Sequence, residues 1–134
     1  MIGPRWVGDM VMAQTLFSAL KEIQPEAAVD VMAPAWAGPL VSRMPEGRSW
    51  IDAPFARKAL EFGKRWRIGR ELAGRYDRAI VMQGNFKAAL VPWFAGIRRR
   101  TGYRGEMRFG LINDMKTLPP EMKRKTAEAF FRLA

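Results

Sequence analysis

Short apolar runs alternate with longer amphipathic stretches along the chain, and this alternation constrains the fold more than any other feature of the sequence. The apolar runs predict strands, after a short start at Met1-Ile2, over residues 28–33 and 79–82, with a weaker one over residues 49–53, and we expect another strand over residues 99–103. The amphipathic stretches predict helices over residues 9–23, 36–43, 57–75, 86–95 and 121–133. Strands that alternate with helices favour an α/β protein with a doubly wound parallel sheet.

The loops that follow the strands are the expected ligand-binding positions. Ligands bind beyond the carboxyl ends of the strands in sheets of this kind. These loops are residues 3–9, 33–37, 53–57 and 83–87. The length of 134 residues fits a single domain, which we place at residues 1–134.

The composition removes several kinds of chemistry and favours one kind of partner. Because cysteine and histidine are both absent, disulfides, cysteine nucleophiles and serine–histidine triads are excluded, and acid–base work falls to Asp, Glu, Lys or Tyr. The 23 Lys and Arg residues outnumber the 13 Asp and Glu residues, which gives a net charge of +10. Such a charge favours a nucleic acid, a phosphorylated lipid or a phosphosugar. With no secretion signal and no long apolar run, we predict a cytoplasmic protein.

The loop from Gly3 to Asp9 precedes a predicted helix, and such a turn can bind an anion on backbone N–H groups. The loop lacks the G-x-G-x-x-G and P-loop patterns, which argues against a self-sufficient mononucleotide-binding domain. Asp9 has two interpretations. It suits the N-cap of the helix, and it could also act as a general base that the helix dipole keeps ionised.

Two basic segments also have two interpretations each. The run Arg98-Arg99-Arg100, with Arg104 and Arg108 beyond it, could bind phosphate or could be a solvated sheet edge. The segment 57–75 mixes cations with Leu, Phe, Trp and Ile, so it fits either a core helix with a wet face or a helix on an anionic membrane. A basic nucleic-acid or polyanion-binding module therefore remains the alternative function.

Several stretches together resemble one known family. They are residues 2–14, 30–36, 39–45, 75–79, 85–97 and 100–114, and they cover most of the chain. They are similar to the ADP-heptose:lipopolysaccharide heptosyltransferases of glycosyltransferase family 9, and within it to the heptosyltransferase II branch. The resemblance implies two Rossmann-like domains that face each other across a cleft, the GT-B arrangement, with the acceptor on the N-terminal domain and ADP-heptose on the C-terminal domain.

The resemblance also implies the chemistry. The reaction inverts the anomeric centre without a metal or a cofactor, and the base is the aspartate of a Gly-Asp pair, which corresponds here to Gly8-Asp9. The implied acceptor is a phosphorylated Kdo-lipid A that carries heptose, at the inner face of the inner membrane, and no nucleic acid is then expected. The implied acceptor contacts are Gly8, Arg57, Lys58, Gln83, Lys87, Arg104 and Arg108.

The chain departs from the family at both ends. Only Met1 and Ile2 remain of the family's opening strand, and the chain stops where the family continues into a donor domain. We therefore expect the N-terminal, acceptor-binding half with a truncated first strand and without the ADP-heptose domain. We expect this half to be inactive alone, to require the missing domain, and to self-associate through the exposed cleft face.

Overall fold

The computed structural model describes residues 1–134, which form five short parallel-paired strands and five helices. The strands are β1 (Asp30–Ala33), β2 (Ser49–Asp52), β3 (Arg78–Val81), β4 (Arg99–Tyr103) and β5 (Asp114–Lys116). The helices are α1 (Val7–Ile23), α2 (Gly38–Val41), α3 (Phe62–Leu72), α4 (Leu90–Phe94) and α5 (Thr126–Phe131). Single 3₁₀ turns lie at Ala35–Ala37, Lys87–Ala89 and Pro120–Met122.

The chain groups into two compact units. The first unit comprises Met1–Pro54 and Leu118–Ala134, and the second unit comprises Phe55–Thr117. The assignment of residues 1–134 to one acceptor-binding domain stays a prediction. None of the helices combines the length and the apolar character that crossing a bilayer requires.

The first unit is built around β1 and the long helix α1. β1 pairs in parallel with β2, from Asp30 opposite Ser49 to Ala33 opposite Asp52. On the other side of β1, Ile2 forms an isolated parallel bridge with Met32, which is all that the expected opening strand provides. The inward face of α1 is buried, at Met10, Ala13, Leu16, Phe17 and Leu20. Apolar periodicity of this kind is what ties a helix to a core.

The second unit contains a three-stranded parallel sheet in the order β3-β4-β5. Its core includes Ile80, Val81, Leu90 and Val91. α3 packs closely on α4 at Gly69, where an added Cβ would lie 2.6 Å from the Cβ of Phe94. The close approach of the two helices therefore requires glycine at this position.

Strand pairing in both units is parallel, so the α/β prediction is confirmed, and several predicted boundaries change. The predicted bounds of β4 are confirmed, whereas β5 is a strand that the sequence analysis missed. The helix predicted over residues 57–75 covers only Phe62–Leu72. Lys58 (φ 64°) and Glu61 (φ 46°) have left-handed backbone that delays its start, and the extended backbone of Ala73 (ψ 135°) ends it. The terminal helix predicted over residues 121–133 is likewise reduced to a 3₁₀ turn and α5.

Candidate functional site

Asp9 lies in the first turn of α1, in the first unit. The helix begins at Val7, and its N-cap is Trp6, whose backbone is extended (φ −112°, ψ 144°) and whose side chain makes no capping bond. The prediction of Asp9 as N-cap is therefore wrong, because the N-cap lies three residues earlier than the apolar pattern indicated. Asp9 is half-buried and is the acidic residue of the first turn of α1.

The two glycines that precede Asp9, Gly3 and Gly8, differ in the space around them. Gly8 is exposed, and a Cβ added to it would meet no atom within 4 Å. A Cβ added to Gly3 would lie 2.9 Å from the Cε of Met10 and 3.2 Å from the carbonyl oxygen of Met32. A side chain at position 3 would therefore displace the end of the Met10 side chain and press on the Met32 carbonyl, whereas the structure gives no steric reason for glycine at position 8.

In the second unit, Lys87 is fixed beside the loop that precedes α3. Its ammonium group donates a hydrogen bond of 2.7 Å to the backbone carbonyl of Lys58. Arg57 and Lys58 are both exposed in this loop. The structure thus brings the backbone of Lys58 to the ammonium group of Lys87, and it concentrates positive charge beside the segment 83–87.

Arg108 is placed differently from the other predicted contacts, because only 1% of its surface is exposed. Its guanidinium group donates to the carbonyls of Gln83 and Tyr103, at 2.5 Å each, and more weakly to that of Asn85 at 3.4 Å. Burial lowers the pKa of Arg108 from its ordinary value. The side chain therefore joins the segment after β3 to the end of β4. Its role as an acceptor contact stays a prediction.

Other bonds join the same two segments. The backbone N–H of Phe86 donates to the Glu106 carboxylate at 3.1 Å, and the N–H of Glu106 donates to the carbonyl of Gly84 at 3.3 Å. A Cβ on Gly105 would lie only 2.2 Å from that carbonyl oxygen, so this contact excludes any larger residue. Arg104, the preceding residue, is exposed, and its guanidinium carbon lies 5.9 Å from the ring centre of Phe109.

Three residues that support this region were missed by the sequence analysis: Arg65, Asn85 and Glu106. Arg65 is buried and donates to the carbonyls of Leu60 (2.7 Å) and Lys87 (3.2 Å). In the structure Arg65 shares the buried face of α3 with Gly69 and Leu72, and no apolar periodicity in the sequence signals that an arginine belongs there. Asn85 accepts a bond from the N–H of Ala88 at 2.9 Å, which is typical of an asparagine before a helical turn.

The predicted site residues therefore form two sets. Gly8 and Asp9 belong to the first unit, at the amino end of α1. The second set belongs to the second unit, and it comprises Arg57, Lys58, Gln83, Lys87, Arg104 and Arg108. Within this second set, hydrogen bonds link Lys87 to Lys58 and Arg108 to Gln83, while Arg57 and Arg104 are exposed on the adjoining loops.

Comparison with known proteins gives consistent results. The profile of glycosyltransferase family 9 (heptosyltransferase) matches residues 65–134. The chain is 52% identical over 134 residues to lipopolysaccharide heptosyltransferase 2 of Escherichia coli K12, and 45% identical over 133 residues to lipooligosaccharide heptosyltransferase 2 of Haemophilus influenzae. These alignments cover 99% and 96% of this chain and 38% of each relative, so the chain spans well under half the length of the relatives that it matches.

Solved structures give the same picture. The structure of E. coli ADP-heptose lps heptosyltransferase II matches 98% of this chain with a TM-score of 0.87 and 48% sequence identity. The glycosyl transferase family 9 structure from Veillonella parvula matches the same share with a TM-score of 0.77 and 14% identity, which shows the fold alone. The chain covers 38% of each of these two proteins.

Proposed function

Because this chain belongs to glycosyltransferase family 9 (heptosyltransferase), we propose that it is the acceptor-binding part of an inverting, metal-independent heptosyltransferase. The reaction transfers heptose from ADP-heptose to the inner core of lipopolysaccharide. The proposal is supported by the 52% identity to a lipopolysaccharide heptosyltransferase 2 along this whole chain. Since the chain spans 38% of that relative, we place the ADP-heptose site outside residues 1–134 and expect no transfer by this chain alone.

Asp9 is the proposed general base, and its position carries the proposal. The acceptor hydroxyl oxygen attacks the anomeric carbon of the heptose, and its proton passes to the Asp9 carboxylate. The bond from that carbon to ADP breaks at the same time, and ADP leaves with the electron pair. Two observations support this role: the carboxylate is half-buried in the first turn of α1, and the exposed Gly8 beside it leaves space for an incoming hydroxyl.

The basic residues of the second unit are proposed to bind the anionic groups of the acceptor. Lys87 is the first of these, because its ammonium is already held beside the exposed loop of Arg57 and Lys58. The proposal adds Gln83 and Arg104 as direct contacts. Arg108 acts on the acceptor indirectly: its buried guanidinium donates a hydrogen bond to the carbonyl of Gln83 and so positions that residue. The acceptor is a lipid-linked saccharide, so we also propose peripheral contact with the inner face of an anionic inner membrane.

Calorimetric titration of this chain tests the proposal. The ligands are a short-acyl Kdo-lipid that carries one heptose, ADP-heptose, and an RNA oligomer, each at two salt concentrations. We expect the Kdo-lipid to bind at both salt concentrations and ADP-heptose to give no signal. Lys87→Met should weaken Kdo-lipid binding by about tenfold or more, because a charged hydrogen bond is lost. Lys123→Met, which removes the same charge from an exposed position in the first unit, is the matched control.

Two outcomes would contradict the proposal. Equal binding of RNA and Kdo-lipid that disappears together at the higher salt would favour the alternative function, a basic polyanion-binding module, which the net charge of +10 also suits. Equal effects of Lys87→Met and Lys123→Met would show that the acceptor responds to total charge and to no particular residue.

A further inference from the structure

Helices α3 and α4 of the second unit present aromatic side chains to solvent. Phe62 and Trp66 on α3 are 52% and 53% exposed, and Trp93 on α4 is 45% exposed. The ring of Phe94 joins them, with its centre 5.0 Å from that of Phe62 and 5.1 Å from that of Trp93. We call these four rings the aromatic patch. Clustered exposed aromatic side chains in a water-soluble unit indicate a surface that binds something.

Arginines border this patch in a definite order. Phe62, Trp66 and Arg70 follow each other at i, i+4 spacing and so form one stripe of α3. Arg67 and Arg70 are both exposed. The face of α3 that packs on the protein carries Arg65, Gly69 and Leu72 instead. Around the circumference of α3, the buried face is therefore followed by the half-exposed rings of Phe62 and Trp66, and these are followed by the exposed guanidinium groups of Arg70 and Arg67.

We propose that the aromatic patch with Arg67 and Arg70 is the surface by which this protein docks on an anionic lipid bilayer. Tryptophan and phenylalanine rings settle at the headgroup boundary, where one side of the ring is apolar and the other is wet. Arginines beside them bind lipid phosphates, and opposite charge attracts the protein to the bilayer. The occupant is a bilayer because, across α3, half-exposed rings are followed by exposed arginines, an order that matches the layering of acyl chains and headgroups.

This inference deepens the proposed function and rests on it only for the advantage of docking, namely that the acceptor is itself lipid-linked. The observations that carry it, the exposed rings and the flanking arginines, are independent of Asp9 and Lys87. The docking experiment therefore uses vesicles that contain no saccharide acceptor. A chain that binds these vesicles and fails to bind the Kdo-lipid would contradict the proposed function and leave the docking surface in place.

The experiment is flotation of the chain with vesicles of phosphatidylcholine that contain about 30 mol% phosphatidylglycerol, against pure phosphatidylcholine vesicles. We expect binding to the anionic vesicles alone. Arg67→Glu/Arg70→Glu should weaken this binding by roughly tenfold or more, because two attractive charges become repulsive. Arg43→Glu/Arg124→Glu changes the net charge equally at exposed positions of the first unit, and it should weaken binding far less.

A second pair of variants tests the apolar contribution. Trp66→Ser should reduce vesicle binding, and Trp36→Ser, which removes a 39% exposed tryptophan from a segment without charged residues, should not. Equal losses from the two charge-reversal variants, or unchanged binding of Trp66→Ser, would overturn the proposal. Loss of self-association on Trp66→Ser, measured by sedimentation, with vesicle binding unchanged would overturn it in favour of a second copy of this chain.

Discussion

Replacement of Arg108 by methionine is the most informative single perturbation of the second unit. The change removes two hydrogen bonds of 2.5 Å from a charged donor, to the carbonyls of Gln83 and Tyr103. Each such bond contributes about 1.5–3 kcal/mol, so their loss costs about 3–6 kcal/mol. The Nε atom of Arg108 is buried without a partner, which destabilises the fold, so removing this atom offsets part of the loss. We therefore expect Arg108→Met to lower the free energy of unfolding by about 2–3 kcal/mol.

Urea unfolding of wild-type and variant chains measures this difference. Arg108→Lys keeps the charge and loses the forked geometry, so we expect roughly half of the loss. Arg104→Met, at the exposed arginine nearby, should change the free energy of unfolding by less than about 0.5 kcal/mol. Amide exchange at Phe86 and Ala88 should accelerate in Arg108→Met, because both N–H groups belong to the segment that Arg108 holds. An Arg108→Met variant as stable as Arg104→Met would refute the reasoning.

Three further predictions concern single residues. Gly8→Ala should leave stability unchanged or raise it by about 0.5 kcal/mol, since alanine favours a helix and meets no atom there, yet it should weaken Kdo-lipid binding in calorimetry; unchanged affinity would remove Gly8 from the acceptor contacts. Gly105→Ala should destabilise the chain in urea unfolding, because its Cβ would collide with the carbonyl of Gly84; a stable variant with unchanged amide exchange in the loop would contradict this. Hydrogen bonding from Thr101, followed by Arg99, lowers the pKa of Asp114 from its ordinary value, so this carboxylate stabilises the fold above its unfolded pKa, and the contribution disappears as the pH falls through its folded pKa. Thr101→Val should raise that pKa in NMR titration, and its stability deficit should shrink in acid.

Hydrophobic patterns in the sequence predicted the helices and strands whose formation depends on residues close in the chain. The helix that ends at Ile23 follows from apolar periodicity, and the strand Arg78–Val81 follows from a short β-favouring run. The pattern failed at β5, because three half-buried residues with two charges carry no strand signal. It also failed before α3, since left-handed backbone at Lys58 and Glu61 depends on how the loop is held and leaves no mark in composition.

In the candidate site too, some features follow from the sequence and others depend on contacts that only the structure shows. The position of Asp9 near a helix start, and of Lys87 after a strand, followed from sequence order alone. The burial of Arg65 and Arg108 did not, because each guanidinium donates to backbone carbonyls that come partly from residues distant in the chain. An arginine looks the same in a sequence whether its partner is water or a carbonyl. Long-range backbone acceptors therefore decide which cations of a basic chain reach a ligand and which hold the fold.

The role of Asp9 is tested most directly by transfer activity. The assay needs a donor domain, so residues 1–134 are placed in E. coli lipopolysaccharide heptosyltransferase 2 in exchange for the segment that is 52% identical. We expect the chimera to transfer heptose, and Asp9→Asn to lower its turnover by about 10²–10⁴-fold, the usual contribution of a general base, with Kdo-lipid affinity unchanged. A folded chimera without transfer, or Asp9→Asn turnover equal to that of the parent chimera, would contradict the proposed mechanism.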